Sequence, residues 1–594
     1  GSAFEADVLT GAWAVAAGPT PAGFEARLAH LRGAAAAALL AADSAVLEPL
    51  WDHGFFTDFA RNLRSGLPVL QDFSAGEQAL IARLHPALAA LAAGDAVTDE
   101  DFTGATGARR LILLAMLLIP AWTAPLPEAA VDEATQGAAL SAPVLERWIA
   151  WAMAPPALIR AGEDAAWLAH VERLLNWLAD RLDPTTEAGA ALPPALALRL
   201  ARLAGRIDLG QLFLIDQPLR GVQAARNRIL ERIALKEGAE QAALPTPIPG
   251  RRIRIGLLCR TFDKGPDSEA VLTFFAGFDP ARYEIFAYSI GFRDRVVSKD
   301  PAFDRRFDAV VPHRRDLPAD PAGIRAALLA DRLDVFLYAN ATTYGLQPMD
   351  LALYHPVAPH QAVLNSHVPM PMGYPSFQAV LTGRSDDPAH EVPQADFAER
   401  LIRCPGPVIN YLTTLEPRPN PPLTRAALGL APGDVVLMNA GSSMKLRHET
   451  LATMMRAVRD IPDGVLLLAP YNPGWAARSM AFVFNRQLAE VAAETGLDPA
   501  RIRVLGELSV AEAEAALGCA DLYLNPFPHG GATMTHLALV HGVPPVTLRR
   551  RSTRSIDQFL VETHGFAELL ADTPEDYIAL ARALGTDPAR RAEI

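Results

Sequence analysis

Two short segments in the last third of the chain combine residues that could bind a diphosphate. The segment "ADLYLNPFPHGGATMTHLALVHGVPPVTL" runs from an apolar strand through a Pro- and Gly-rich turn into a helix predicted to begin near Thr533. Such a helix directs unpaired backbone N–H groups and the positive end of its dipole at the turn, where Gly530 and Gly531 let an anion approach the backbone. The segment "VVLMNAGSSMKLRHETLATMM" repeats the arrangement, with Lys445 near a helix start.

The type of residue at position 445 is informative because lysine is rare in this protein. The 594-residue chain has 4 lysines among its 54 basic residues. An ammonium group at one turn and a glycine-rich turn at the other would hold a nucleotide diphosphate between them. The alternative is a solvated lysine in the first turn of a helix, a position that the helix dipole disfavours.

The elements around these turns alternate short apolar strands with helical stretches, which is the pattern of a parallel α/β sheet. One alternation covers residues 252–415 and a second covers residues 425–594, with the Pro-rich segment "EPRPNPPLT" between them. We expect two Rossmann-like doubly wound domains with a ligand cleft at the carboxyl ends of their strands. Residues 1–240 are rich in Ala, Leu and Arg at helical spacing and predict an all-α domain, so the fold class is α plus α/β.

Composition and charge restrict the function further. The net charge of −13 argues against broad binding of nucleic acid, because an acidic surface repels a phosphate backbone. The three cysteines are isolated in apolar runs, which is typical of buried thiols in a reducing cytoplasm. The most apolar segment, "LILLAMLLIPAW", is shorter than the ~20 residues that span a bilayer, so no membrane span is predicted. No histidine or cysteine spacing indicates a metal site.

Three segments resemble a known family. "AGSSMK", "VAPHQAVLNSHVPMPMG" and the glycine-turn segment are similar to the glycosyltransferases that include the eukaryotic O-linked N-acetylglucosamine transferase. The similarity is greatest to the bacterial branch of HMW1C-like cytoplasmic protein N-glycosyltransferases, and it covers roughly residues 252–594. The resemblance implies a GT-B fold, an inverting transfer that requires no metal, a UDP-sugar donor and a polypeptide acceptor.

The resemblance also implies roles for individual donor-side residues. Lys445 matches the family lysine that contacts the donor diphosphate, and either Ser442 or Ser443 matches the hydroxyl beside it. Thr533 matches a residue at the diphosphate, and Asn525 matches the end of the preceding strand. An ammonium at this place would stabilise the charge that develops on the leaving UDP. For the turn residues, a purely structural role in the turn and helix cap is the alternative.

Other positions depart from the family pattern. The family aspartate that binds the donor ribose falls at Leu537, which cannot accept a hydrogen bond, so either His536 replaces it or the donor differs. The arginine run that includes Arg551 follows a strand end and could reach phosphates or an anionic sugar, although it could equally be a solvated loop. Asp557 follows in a segment that lies near the donor in the family, so we predict that it contacts the donor.

Candidates on the acceptor side are fewer. The family loop with active-site histidines aligns with "CRTFDKGPDSEAV", which has acids instead, and Asp267 or Glu269 could serve as a base. A helix-capping role for Asp267 is the competing interpretation. His367 matches a histidine of the bacterial branch and is the better acceptor-side candidate, with an ordinary loop histidine as its alternative.

We therefore predict a transferase that moves a hexose from a nucleotide-sugar, UDP-glucose or UDP-GlcNAc, to an Asn, Ser or Thr side chain of a protein such as an adhesin or a flagellin. No separate cofactor is expected. One alternative is the same fold with a different nucleotide-sugar donor. The other is a GT-B scaffold that binds a protein partner without catalysis.

Overall fold

The structure is a computed structural model of the chain. It describes residues 162–190, 194–205, 212, 214–237, 243–244, 246, 248–259, 266–289, 301–339, 347–364, 371–384, 391–405, 423–471, 481–550 and 556–594. Residues 1–161, which make up most of the predicted all-α domain, lie outside this set, as do His367 and Arg551. By its contacts the chain divides into two compact units, one of residues 15–208 and 479–490 and the other containing both sheets.

The described residues before 240 are helical wherever they have regular structure. The helices are α1 (Glu163–Arg181), α2 (Glu187–Ala190), α3 (Pro194–Gly205) and α4 (Arg220–Glu237). In α1, apolar residues recur at helical spacing, and Trp167, Val171 and Leu175 on one face are fully buried. This agrees with the helical class predicted for the segment, while its boundaries stay a prediction.

The first α/β half is built on a seven-stranded parallel sheet with the order β3-β2-β1-β4-β5-β6-β7. Its strands are β1 (Ile253–Cys259), β2 (Tyr283–Ser289), β3 (His313–Asp316), β4 (Val335–Tyr338), β5 (His360–Leu364), β6 (Ala379–Arg384) and β7 (Arg400–Pro405). The helices of this half are α5 (Pro266–Phe275), α6 (Pro301–Val310), α7 (Pro321–Ala330) and α8 (Pro348–Ala352). Near-continuous apolar runs such as β1 suit strands that are covered on both faces.

The second half repeats the design with a six-stranded parallel sheet in the order β10-β9-β8-β11-β12-β13. Its strands are β8 (Val435–Asn439), β9 (Gly464–Leu468), β10 (Ile502–Val504), β11 (Leu522–Leu524), β12 (Pro545–Leu548) and β13 (Leu570–Ala571). The helices are α9 (His448–Arg459), α10 (Ala481–Thr495), α11 (Val510–Leu517), α12 (Thr533–Val540), α13 (Asp557–Thr563), α14 (Pro574–Thr586) and α15 (Pro588–Glu593).

The strand order of the second sheet determines which turns meet. The chain runs outward from β8 through β9 to β10, then returns to the other side of β8 with β11. The loops that leave β8 and β11 therefore diverge from adjacent strands at the point where the order reverses, which is where open α/β sheets bind ligands. Because the two strands pair in parallel, with Leu522 opposite Leu437, both turns emerge at the same edge.

The helix α13 connects the two halves through its apolar face. Ile556 and Leu560 are buried in the same cluster as Ile255, Leu257 and Phe275 of the first half. This packing fixes the start of α13, at Asp557, beside the turn that follows β11. A residue of the second half is thus positioned by the core of the first.

A buried polar network attaches α4 to the first half. The Tyr374 hydroxyl donates to Asp350 Oδ1 over 2.6 Å, and Arg226 donates to the same hydroxyl oxygen over 3.4 Å. Asn227 donates to the Met372 carbonyl over 2.9 Å. The helix α4 lies in the same compact unit as the sheets, although the sequence places residues up to 240 with the helical domain.

Candidate functional site

The two predicted turns meet through Lys445. After β8 the chain forms a short 3-10 turn, Ser443–Lys445, before α9 begins at His448. From this turn the Lys445 ammonium donates a hydrogen bond of 2.7 Å to the carbonyl oxygen of Gly530. The structure therefore brings together the lysine and the glycine turn that the sequence singled out 85 residues apart.

The glycine turn is held from behind by buried side chains of β11, α12 and α13. The Gly531 N–H donates to Asn525 Oδ1 over 2.7 Å, and the Ala532 N–H donates to Asp557 Oδ1 over 2.8 Å. The Thr535 hydroxyl lies 2.5 Å from Asp557 Oδ1 and 3.0 Å from Asn525 Oδ1. Two of the turn's N–H groups are thus bonded within the protein, and Lys445 supplies the positive charge on the side of the turn that it contacts.

The reason for glycine in this turn differs from the one that the sequence suggested. A Cβ at Gly530 would lie 1.9 Å from Asp557 Oδ2, and one at Gly531 would lie 2.4 Å from the Tyr523 hydroxyl. Both distances are far below van der Waals contact. The two glycines are therefore required by the buried side chains behind the turn, and the approach of a phosphate in front of it stays a prediction.

Burial shapes the electrostatics of Lys445 and Asp557. Desolvation lowers the pKa of Lys445 from 10.5 to about 8, and the nearby Asp557 carboxylate opposes that shift. Desolvation likewise raises the pKa of Asp557, while the hydrogen bond from Thr535, the charge of Lys445 and the Ala532 N–H oppose it. Each charge is therefore favoured by the presence of the other. An ammonium at this place can pair with phosphate at neutral pH.

The remaining donor-side candidates lie around this pair. Ser442 is 4% exposed and its hydroxyl has no hydrogen-bond partner among the described residues, while the Ser443 N–H donates to the Pro470 carbonyl over 3.0 Å. Thr533 is the first residue of α12 and is half-buried, as the predicted helix start requires. Asn525 is fully buried, so its role is to support the turn.

Asp557, which we predicted to contact the donor, is 3% exposed and lies behind the turn. Its Oδ1 is used by Ala532 and Thr535, and its Oδ2 lies against Gly530. The carboxylate is thus enclosed by protein groups. Its position indicates a contribution to the shape and charge of the turn.

The helix α12 explains the leucine that replaces the family aspartate. Leu537 is 5% exposed and belongs to the apolar cluster that contains Val436, Met438 and Val543. An ionised side chain here would be buried among apolar groups. His536 is also buried, and its ring faces His564 with the centroids 6.5 Å apart. Burial and the neighbouring histidine lower the pKa of His536 to about 4, so its imidazole is neutral at physiological pH.

The arginines that precede Arg551 are engaged in ion pairs. Arg549 pairs with Asp572 at 2.7 Å, and Arg550 pairs with Glu449 at 2.6 Å. The Arg550 guanidinium also lies 5.8 Å above the ring of Phe527. These contacts attach the end of β12 to α9 and to the turn, while Arg551 itself lies outside the described residues.

On the acceptor side, the structure describes only the backbone of the candidate acids. The helix α5 begins at Pro266, so Asp267 and Glu269 are in its first turn, and Asp267 does not precede the helix as a cap would. The side chains of these two acids lie outside the described part of the chain, as does all of His367.

Three supporting residues were not identified from the sequence. Tyr523 and Thr535 form the buried floor of the glycine turn. Asn439 ends β8, where its amide donates to the Leu524 carbonyl over 2.6 Å and accepts from the Gly441 N–H over 2.8 Å. A signal for Asn439 did exist, because "LMNAG" and "YLNPF" both place an asparagine directly after an apolar strand.

The described residues contain neither a membrane-spanning helix nor a cluster of metal-binding side chains. No helix among them is both long and apolar enough to span a bilayer. Within the same residues, no three His, Cys, Asp or Glu side chains are grouped so that they could hold a metal ion.

Comparison of the sequence with known proteins gives distant relatives of one kind. The chain is 23% identical over 345 residues to the probable UDP-N-acetylglucosamine–peptide N-acetylglucosaminyltransferase SPINDLY of Petunia hybrida, which covers 57% of this chain and 35% of that protein. The protein of the same name in Oryza sativa subsp. japonica is 24% identical over 326 residues, 54% of this chain and 33% of that one. The chain thus spans about a third of the length of these relatives. No protein-family profile matches it.

Comparison of structures supports the fold. A mutant of the Thermobaculum terrenum O-GlcNAc transferase aligns with a TM-score of 0.52 and 20% identity, over 93% of this chain and 91% of that one. The two parallel sheets of the chain match that architecture. The chain has the GT-B fold. Its listed sequence relatives are named as probable peptide N-acetylglucosaminyltransferases, and its assignment to the HMW1C-like branch stays a prediction.

The packing behind the GT-B glycine turn predicts a strong effect of a single methyl group. Gly530→Ala places a Cβ against the Asp557 carboxylate and should lower the free energy of unfolding by about 1–3 kcal/mol or more. Urea denaturation measures the change. Gly433→Ala is the matched control, because a Cβ there meets nothing within 4 Å. Equal stability of the two variants would contradict the packing.

The buried position of Leu537 predicts that restoring the family aspartate is harmful. Leu537→Asp should lower the free energy of unfolding by about 3–5 kcal/mol, because the new charge is buried without a partner. Val540→Asp on the same helix is the control, since Val540 is 44% exposed and the change should stay within about 0.5 kcal/mol. A Leu537→Asp protein that is as stable as the wild type would show that this position faces the cleft.

Proposed function

We propose that this chain is a glycosyltransferase that transfers a sugar from a UDP-linked donor to a side chain of a protein. The proposal is carried by one observation, the 2.7 Å contact of the Lys445 ammonium with the Gly530 turn at the switch point of the second sheet. The names of its sequence relatives, which are peptide N-acetylglucosaminyltransferases that use UDP-N-acetylglucosamine, favour that donor over UDP-glucose.

In the proposed reaction, an acceptor oxygen or nitrogen attacks the anomeric carbon of the sugar from the side opposite to UDP. The bond between that carbon and the diphosphate oxygen breaks, the configuration inverts, and the acceptor passes its proton to a base, for which His367 and Asp267 are the candidates. The developing negative charge on UDP lies beside Lys445, whose ammonium stabilises it without a requirement for a metal ion. Thr533 and the hydroxyl of Ser442 or Ser443 would contact the same diphosphate, and Arg551 would add charge from the β12 loop.

The acceptor side of the proposal rests on the family resemblance. His367 would assist the acceptor, with Asp267 as the alternative base. The O-GlcNAc transferase likeness favours a Ser or Thr hydroxyl, whereas the HMW1C-like resemblance favours an Asn amide and a bacterial adhesin or flagellin. We also propose a cytoplasmic setting, in line with the unpaired thiols of Cys404 and Cys519.

A second donor class is favoured by a specific observation. Leu537 occupies the position of the family's ribose-binding aspartate and is buried in the apolar core. The ribose contact expected of a UDP-sugar is therefore missing at that position, and another nucleoside diphosphate sugar is the competing donor. Nucleotide binding distinguishes the two.

The first test is a thermal-shift panel of UDP, UDP-GlcNAc, UDP-glucose, GDP, ADP and CMP. A ligand at 100 times its Kd should stabilise the folded chain by about 2.7 kcal/mol. Lys445→Ala should weaken the binding of the preferred nucleotide about 10- to 100-fold, because a charged hydrogen bond is lost. Lys236→Ala, which removes a lysine from α4, should bind like the wild type. A preference for GDP or ADP would support the competing donor, and no shift with any nucleotide would favour the non-catalytic scaffold.

The low pKa of Lys445 predicts how binding depends on pH. Affinity for UDP should be steady near pH 7 and fall as the pH rises through about 8, because the ammonium loses its proton. Calorimetric titrations between pH 7 and pH 9.5 measure this. In Lys445→Arg the guanidinium stays charged, so the fall should disappear. A fall that persists in Lys445→Arg would assign the titration to another group.

A further inference from the structure

The carboxylate of Asp557 has contacts that a donor-binding residue would not need. It is 3% exposed, and it accepts hydrogen bonds from the Ala532 N–H at 2.8 Å and from the Thr535 hydroxyl at 2.5 Å. Its second oxygen, Oδ2, occupies the space in which a side chain of Gly530 would lie. The carboxylate thus fills the volume directly behind the glycine turn.

The backbone that Asp557 holds is strained. Ala532, the residue before α12, has a φ of 47°, in the left-handed region that residues other than glycine seldom adopt. A conformation of this kind persists where surrounding contacts enforce it. The N–H of this strained residue donates to Asp557, so the hydrogen bond to the carboxylate helps to hold Ala532 in its strained conformation.

Asp557 and Lys445 both contact Gly530, one through the carboxylate oxygen and the other through the carbonyl. The carboxylate attracts the ammonium in a partly buried site, where charges interact more strongly than in water. Removing that negative charge would leave the partly buried ammonium with less compensation for its lost hydration. The geometry therefore links the charge of Asp557 to the charge of Lys445.

The position of the carboxylate is itself fixed. Ile556 and Leu560, on either side of Asp557 in the chain, are buried in the core cluster of the first half. The start of α13 cannot move away from the glycine turn without exposing these two side chains. Asp557 is thus a rigid part of the site.

We propose that Asp557 is the positioning residue of the diphosphate site. Its buried carboxylate shapes the glycine turn before α12 and keeps Lys445 charged without touching the donor. The role in donor binding rests on the function proposed above. The effect on the shape of the turn and on Lys445 does not, because it follows from contacts within the protein.

Other titratable and charged groups surround this pair and define what a pH experiment would report. They are Tyr523 on β11, His529 in the turn, His536 on α12, Glu562 on α13, and the pair of Arg550 with Glu449. Burial raises the pKa of Tyr523 well above its ordinary value and lowers that of His536 to about 4, so neither changes its charge near pH 8. The Lys445→Arg variant decides whether a titration near pH 8 at this site belongs to Lys445 or to another of these groups.

The test uses the scarcity of lysine in this chain. Protein labelled with 13C at the lysine Cε gives signals from 4 lysines, and Lys445→Arg identifies the signal of residue 445. In the wild type this signal should titrate near pH 8. In Asp557→Asn, which keeps the side-chain shape and one acceptor oxygen, the midpoint should move to lower pH. Glu562→Gln removes a carboxylate from the same helix and should leave the midpoint unchanged.

The same variants are titrated with UDP in the calorimeter. For Asp557→Asn we expect affinity near that of the wild type at pH 7 and a greater loss of affinity between pH 7 and pH 8. An equal loss at every pH with an unchanged lysine midpoint would show that Asp557 contacts the donor or acts only on stability, and would overturn the proposal. A lowered midpoint in a protein whose wild type binds no nucleotide would support the positioning role and reject the proposed function.

A second variant keeps the proposal testable if Asp557→Asn does not fold. Thr535→Val removes one hydroxyl from the carboxylate and keeps every charge, and Thr535 is fully buried. It should weaken UDP binding at least threefold, with the lysine midpoint close to that of the wild type. Unchanged affinity in Thr535→Val would show that the support behind the turn has no effect on the site.

Discussion

The contact of Lys445 with the Gly530 carbonyl connects the two turns of the site, and the surrounding structure is arranged around it. A partly buried ammonium loses part of its hydration, and an opposite charge and good acceptors compensate for that loss. The carbonyl at 2.7 Å provides one acceptor, and Asp557 provides the charge. Both come from the segments that follow β11 and β12, so Lys445 can be buried only where these segments converge on the turn after β8.

The topology of the second sheet makes that convergence possible. Because β8 and β11 are adjacent and parallel, their carboxyl ends lie next to each other although 85 residues separate Asn439 from Leu524. The first sheet has the same reversal of order between β1 and β4. Its corresponding loop after β1 lies outside the described residues, and its sequence contains Asp263 and Lys264.

The distant likeness to a solved O-GlcNAc transferase concerns the fold. At 20% identity the two doubly wound sheets persist, because many apolar sequences satisfy a parallel strand buried on both faces. Lys445 and the glycine turn lie together with the buried residues that contact them. Leu537 is part of the core, so under the proposed function the ribose of the donor would be recognised elsewhere or belong to a different nucleotide.

The sequence alone was sufficient for the fold class, and it singled out two turns that the structure brings into contact. Alternating apolar strands and helices predicted two doubly wound domains, and the scarcity of lysine and the glycine turn pointed to residues 445 and 530–533. These signals are local, because the period of a strand, the start of a helix and the residues of a turn can each be recognised within a short stretch of consecutive residues.

Only the tertiary structure decided which side of the turn each residue occupies. Asp557 was expected to face the donor but lies behind Gly530, Leu537 proved to be a core residue, and Tyr523 and Thr535 were not identified at all. The physical reason is that burial depends on contacts between distant segments, here α12, α13 and β11. The sequence shows which polar residues are near a turn. Only the packing of the distant segments determines which of them face outward from the turn and which support its backbone.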